Sequence, residues 1–512
     1  MGEGSVMSDA ADGSWRLTPE HAALTQGLMV SPFGHLAEGS ALFLELPAPL
    51  RQPADGAWLQ ALRAVCPITD ATAKQVPAAA IAFTWTGLQA MGLDPDTLAT
   101  FSSAFIEGMH QIDRKRRLSD LPDSGTVIDA GPQWSGNTPD RVPDPSDPTV
   151  DHTSITVHAA LLLYAADTDL LATFEAAATS ALSDHGVEIR HRLELSLRFD
   201  AQGQAREHFG FADGLSQPVP EGDSIVSHTN AALPRDRLHG IAAGDVLMGH
   251  LNAQNEPAPG PMVARACDPQ NFLPAQGAPE GFRNLGLDGS YLVMRELRQD
   301  VAAFWASMEA GKGDQDAEWL ASHVVGRTMN GDVLTPAGAL PRVGKDPRND
   351  FTFFATDPHG LGCPIGSHVR RANPRDGLAP DAQTAPDLLQ AAQNHRILRR
   401  GRKFGPTIAD PRQDDGATRG LLFMCLNTDL VRQFEFVQQT WMLNTSFGSL
   451  MHESDPLLGP HGRFTIPAEP LRYRPVIDTF IRFAGGEYFF LPSLPALNYL
   501  QSLQTNPMIA VL

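Results

Sequence analysis

The chain is poor in several things, and each shortage excludes something. Only four cysteines, Cys66, Cys267, Cys363 and Cys425, occur in 512 residues, and no two form a CxxC pair. A thiolate zinc site and a disulfide framework are thereby disfavoured. Basic residues are outnumbered, 39 Lys and Arg against 59 Asp and Glu, for a formal charge of −20. Nonspecific binding to nucleic acid or to an anionic membrane needs the opposite sign. No apolar run approaches the roughly 20 residues that span a bilayer. The first 16 residues lack a basic start and an apolar core, so no export signal is expected. Val6 stands where a myristoylation motif wants Ser or Thr. With the sparse cysteines, these absences lead us to expect a cytoplasmic protein. GxSxG, Walker, Rossmann and HExxH motifs are all missing, and no pair of the 17 histidines has metal-ligand spacing with a fitting carboxylate.

What is present suits a globular protein. Hydrophobic residues make up 42%, and 45 Gly with 41 Pro imply many loops. Residues 1–20 read as a flexible tail. Gln26 to Leu46 reads as a strand, a loop and a second apolar run. Residues 120–150, rich in Pro, Asp and Gly, read as a long loop of the kind that is often functional. Ile155 to Tyr164 predicts a strand. Leu170, Leu171, Phe174, Ala177, Ala178 and Leu182 follow at helical spacing, and Leu193, Leu195, Leu197 and Phe199 alternate as in a half-buried strand. The second half repeats the scheme: Ser290–Met294 leads to a helix carrying Val301, Phe304, Trp305 and Met308. Leu421–Leu426 leads to another carrying Leu430, Phe434, Val437 and Trp441. The recurrence predicts two α+β domains of related architecture, each an antiparallel sheet with helices on one face.

Three short segments could carry chemistry. In Gly366-Ser367-His368-Val369-Arg370-Arg371 a histidine sits beside two arginines, with Arg375 close by. Buried arginines need partners, and one loop holding an imidazole and guanidinium groups suits an iron porphyrin with its propionates. A phosphate- or carboxylate-binding loop with an incidental histidine is the competing reading. Gly210-Phe211-Ala212-Asp213-Gly214 frames an aspartate with glycines, although Asp-Gly is also a common turn. Arg399-Arg400-Gly401-Arg402-Lys403 concentrates positive charge in an acidic protein, which points to an anionic partner. A ligating imidazole also needs an acceptor for its other N–H. Asp455, Glu435 and Asp429 are the candidates.

Taken together these residues resemble the dye-decolorizing (DyP-type) haem peroxidases. GFADG resembles that family's GxxDG signature, GSHVRRANPR its proximal-histidine segment and ILRRGRKFG its distal-arginine segment. Weaker echoes, including IAFTWTGLQAMGL, GSYLVMRELRQDVAAFW, DPLLG and GGEYFFLPSL, extend the likeness over roughly residues 20–500 in the right order. Length and the missing export signal look most like the larger bacterial members. The resemblance implies an α+β fold of two ferredoxin-like domains, 21–220 ending in the GxxDG segment and 221–512 binding haem. It implies one non-covalent haem b. His368 would be the axial ligand of the iron, Asp213 the distal acid–base and Arg399 the distal arginine. Arg370 would lie near the propionates, Leu421 and Phe423 would line the distal pocket, and Asp455 would be the partner of the proximal imidazole. Hydrogen peroxide would be the oxidant. Dyes, phenolics, lignin-related compounds or Mn(II) would be reductants, and the alternative is a haem-binding or iron-releasing protein. Phe404 departs from members with a tyrosine there. With only 5 Tyr and 7 Trp in the chain, oxidation of bulky dyes at the surface would need another residue. Oligomeric state is not legible.

Overall fold

The computed structural model describes residues 15–47, 56–72, 74–129, 131–136, 154–227, 238–339, 348–468 and 472–503. Its centre is a ring of eight antiparallel strands. In chain order these are β1 (Glu38–Glu45), β2 (Ala78–Phe83), β3 (Ala159–Ala165), β4 (Glu188–Ser196), β5 (Ser290–Gln299), β6 (Arg402–Phe404), β7 (Gly420–Asn427) and β8 (Ile481–Leu491). Two four-stranded sheets compose the ring, ordered β2-β3-β1-β4 and β6-β7-β5-β8. Each has the ferredoxin-like arrangement, in which the first and third strands of a βαββαβ unit lie centrally. The sheets join at both edges. Lys403 and Phe404 of β6 pair with Ser196 and Leu195 of β4, and Phe490 of β8 pairs with Phe83 of β2. Closure leaves neither sheet an unpaired outer edge.

Alternation along the strands divides the core in two. Ala41, Phe43, Ala80, Leu162, Leu292, Met294, Leu422, Met424 and Phe489 belong to one buried cluster drawn from the strands of both sheets. This cluster fills the barrel. Residues of opposite parity, such as Leu42, Ile81, Leu161 and Val293, pack outward with the helices. Those helices are α1 (Ala57–Val65), α2 (Thr168–Ser183), α3 (Val301–Gly311) and α4 (Ala317–Val325). Their starts follow from the sequence. Asp167, Asp300 and Asp316 are N-caps whose carboxylates accept the N–H of Leu170, Ala303 and Trp319 at 2.8, 2.9 and 2.7 Å.

Three local expectations are corrected. The segment after Gln26 is a short 3₁₀ turn, Gly27–Met29, rather than a strand. The Gln26 side chain bonds the Ile81 backbone in both directions and the Pro492 carbonyl, which ties the segment to the barrel instead of letting it extend a sheet. The helix expected after β7 is two turns of π-helix, Val431–Glu435 and Val437–Met442, with Glu435 N–H donating to the Leu430 carbonyl at 2.9 Å. Such wide turns gather at functional sites. The expected tail is structured from residue 15: Trp15–Leu17 pairs with Ile225–Ser227, and Trp15 is buried. Residues 1–14, and positions 130 and 137–150 of the long loop expected over 120–150, lie outside the described residues.

Candidate active site

A cavity of about 1420 Å³ opens on the helix side of the second sheet. Drug-sized ligands occupy roughly 300–1,000 Å³, so this space suits something larger. Strand parity builds one wall. Leu422 and Met424 of β7 belong to the barrel cluster, while Leu421 and Phe423, of opposite parity, line the cavity, which Leu422 also borders. Phe434, Val437, Leu457 and Leu458 continue this apolar surface. Eight arginines but only five Asp and Glu line the whole space, an inversion of the protein's overall charge. An anionic, largely apolar ligand fits such a wall.

His368 lines the cavity as the first residue of a short helix, α5 (His368–Ala372). Its Nδ1 lies 3.2 and 3.1 Å from the two carboxylate oxygens of buried Asp455. The same carboxylate accepts the N–H groups of Leu457 and Leu458 at 2.9 and 2.8 Å. Burial alone would raise the Asp455 carboxyl. The charge and hydrogen bond of His368, the Leu458 N–H and nearby Arg371 together hold it below the ordinary carboxylate range. An ionised acceptor at Nδ1 keeps the proton there and leaves Nε2 as the free lone pair. Asp455 is the partner among the three candidates. Glu435 bonds Arg114 at 2.5 Å and Tyr488 at 2.8 Å, and Asp429 accepts the Arg432 N–H at 2.9 Å.

The two arginines beside His368 do not face the cavity. Arg370 donates to the carbonyls of Asp357 and Cys363, both at 2.9 Å, and stacks on Phe353 at 4.4 Å. Arg371 donates to the carbonyls of Gly366, Trp441, Met442, Asn444 and Glu453 at 3.1, 2.8, 3.2, 3.0 and 2.6 Å. Neither is among the lining residues. Two backbone carbonyls, with the buried Asp357 carboxylate 3.7 Å away, meet the cost of burying Arg370. The pair fastens the loop. Arg370 ties the turn before His368, and Arg371 ties α5 to the chain two residues ahead of Asp455. Arg375, just beyond α5, does line the cavity, and its guanidinium bonds the carbonyls of Asn349 and Phe351 at 2.8 and 2.5 Å. Gly326, which ends α4 at φ 97°, lets the His368 loop pack closely, since a Cβ there would lie 2.9 Å from Ser367 Oγ.

Asp213 and Arg399 line the same cavity. The Asp213 loop is held through its backbone: Asp213 N–H donates to the Ala205 carbonyl at 2.8 Å and Ala212 N–H to the Met329 carbonyl at 2.9 Å. Gly210 turns the chain at φ 101°. Glu207 braces the turn by accepting the N–H groups of Phe209 and Phe211 at 2.8 and 2.9 Å. Burial raises its carboxyl, and the nearby charge of Asp213 adds to that. The Arg399 guanidinium donates to the Leu215 carbonyl, two residues past Asp213. Gln217 exchanges hydrogen bonds with the Arg399 backbone at 3.1 and 3.2 Å. Glu207 and Gln217 escape the sequence reading, although both flank the GFADG segment. Arg400 and Arg402 spend their guanidinium groups on backbone: Arg400 bonds the carbonyls of Leu28 and Met29, and Arg402 those of Leu36, Pro32 and Phe33.

Fold and cavity together define a closed α+β barrel with one large, arginine-rich pocket on its helix side. The dye-decolorizing peroxidase msp1 of Mycetinis scorodonius is 28% identical over 462 residues, covering 84% of this chain and 77% of its own. The multifunctional dye peroxidase DyP2 of Amycolatopsis sp. is 28% identical over 407 residues, covering 73% and 79%. The crystal structure of a DyP-type peroxidase from Anabaena sp. superposes with a TM-score of 0.69 at 22% identity, over 94% of this chain and 95% of that one. No family model matches. The likeness to dye-decolorizing peroxidases is sustained along most of the chain.

Proposed function

We propose that this chain binds haem b non-covalently in the cavity and uses hydrogen peroxide to oxidise small aromatic reductants. The observation that carries the reading is one cavity holding both the Asp455-tethered imidazole of His368 and the pair Asp213 and Arg399. The residues fit the group. Apolar side chains such as Leu421, Phe423 and Phe434 suit a porphyrin, the arginine excess suits its carboxylates, and His368 Nε2 suits its iron. Cys363, nearest in sequence, is buried with its thiol on Ser367, and burial raises it, so it offers no thioether link. When bound, haem supplies the iron-centred redox chemistry.

The chain's own residues do the rest. Asp455 fixes the His368 tautomer and makes the imidazole a stronger electron donor. The Asp213 carboxylate takes a proton from hydrogen peroxide and returns it to the departing oxygen as water forms. The Arg399 guanidinium stabilises the negative charge that develops as the O–O bond breaks. Purification with adequate haem supply should give a Soret band and peroxide-dependent bleaching of a dye. A haem-loaded protein that shows no turnover with peroxide and dye would instead support a haem-binding or iron-releasing role.

A further inference from the structure

His21, His250 and Asp288 have no part in the cavity, yet they converge. His21 comes from the one-turn helix Pro19–Ala22, His250 from a loop of the second half and Asp288 from the turn that enters β5. His21 Nδ1 lies 2.9 and 3.1 Å from the two oxygens of Asp288, and His250 Nε2 lies 2.7 Å from one of them. The rings meet edge to face with centroids 4.9 Å apart. One ligand atom from each residue falls within 4.8 Å of the others.

We infer that this trio is a binding site for a divalent transition ion of the zinc class. Two imidazole nitrogens and one carboxylate oxygen form the N₂O set that zinc and its neighbours prefer, whereas calcium and magnesium want oxygen ligands throughout. Four-coordinate zinc with bonds of about 2.0–2.1 Å separates its ligand atoms by roughly 3.3 Å. The observed separations of 2.7–3.1 Å from Asp288 need open by only a few tenths of an ångström. Asp288 is buried, while both imidazoles keep an accessible edge, with side-chain exposures of 17% and 11%, so an ion can enter from solvent. The backbone is already set. Asp288 N–H donates to the Met248 carbonyl at 3.2 Å and Met248 N–H to the Gly289 carbonyl at 2.9 Å, which locks the loops bearing His250 and Asp288 together. Three protein ligands leave the fourth position to water. The ion ties the N-terminal segment to residues more than 220 positions later, a long closure whose loss the fold would feel.

Full-length protein loaded with haem, dialysed against chelator and titrated with zinc chloride alone should take up one equivalent and melt at higher temperature. Asp288→Asn and His250→Gln should lose that equivalent and the thermal gain, with affinity falling by more than the ~10–100-fold that loss of an outer-shell partner costs. Their Soret spectra should not change, because none of the three residues lines the cavity. His21→Gln, nearest the surface, carries the same test if the other two fail to fold. No zinc uptake by the parent protein, or equal uptake by the folded variants, overturns the site. The readout needs no peroxide turnover, so it stands or falls apart from the peroxidase reading.

Discussion

His368 is fixed by its side chain, whereas Asp213 is fixed by its backbone. On the histidine side every partner is buried and specific: Asp455 takes two backbone N–H groups besides the imidazole, and Arg371 binds five carbonyls around it. On the aspartate side the loop is pinned by backbone bonds and by Glu207, while among the described residues the Asp213 carboxylate accepts a single hydrogen bond, from the neighbouring Gly214 N–H at 2.6 Å. A metal ligand gains from a single held geometry. A group that collects a proton at one atom and delivers it to another gains from freedom to swing. The two sides differ in the way their proposed roles require.

The largest effect expected from this contrast is all-or-none. His368→Ala should abolish or severely weaken haem retention, read as the ratio of Soret to protein absorbance, while Asp213→Asn retains it. Equal retention by both would break the comparison. Next come the rates. Asp213→Asn should slow the first reaction with peroxide by roughly 10²–10⁴-fold and Arg399→Ala by roughly 10²–10³-fold, measured by stopped flow. Wild-type rates in both would remove the proton and charge roles from this wall.

The sequence carries these two walls unequally. GFADG and the first arginine of RRG are legible because backbone-held loops are local, so their residue types and spacing survive in a short motif. His368 is legible for the same reason. Its support is not. A buried guanidinium demands acceptors, which points Arg370 toward a ligand, and nothing in a sequence shows that carbonyls of Asp357 and Cys363 supply them. Arg371 has no evident role until the carbonyls at 441, 442 and 444 stand beside it. The two α+β halves follow from apolar periodicity, but their closure into one ring rests on edge pairings between distant strands. The π turns after β7 escape as well, since Leu430, Phe434, Val437 and Trp441 fit an α-helix equally well.

Stability sharpens the contrast further. Arg371→Ala should destabilise measurably in denaturant titration, because it leaves five carbonyls without their donor and each buried group left unsatisfied costs about 1–3 kcal/mol. Arg371→Lys should recover only part, since an ammonium cannot reproduce the planar fork. Asp455→Asn is milder: the fold keeps its shape, but His368 loses an ionised acceptor, and haem affinity should fall about 10–100-fold. If Arg371→Ala left stability unchanged, the histidine side would owe nothing to that scaffold.

The smallest effect concerns acid, and it separates the two sides by pH. His208, in the turn before GFADG, is buried with Nε2 2.9 Å from the Phe404 carbonyl. Burial lowers its imidazole from 6.5 to about 4. Below pH 6.5 the unfolded chain therefore binds a proton that the folded chain refuses, and stability falls with pH until about 4. Between pH 7 and pH 5.5 the loss is about 1 kcal/mol. Asp455 has the opposite chemistry. Its folded value is depressed, so its contribution is complete above the unfolded value of about 3.9 and is lost only as pH falls through the lower folded one. Mild acid should thus loosen the Asp213 side while the His368 side holds. His208→Gln should flatten the thermal-stability profile between pH 7 and 5.5, and Asp455→Asn should leave that interval unchanged. A His208 imidazole found by NMR to titrate near 6.5 in the folded protein would remove the difference.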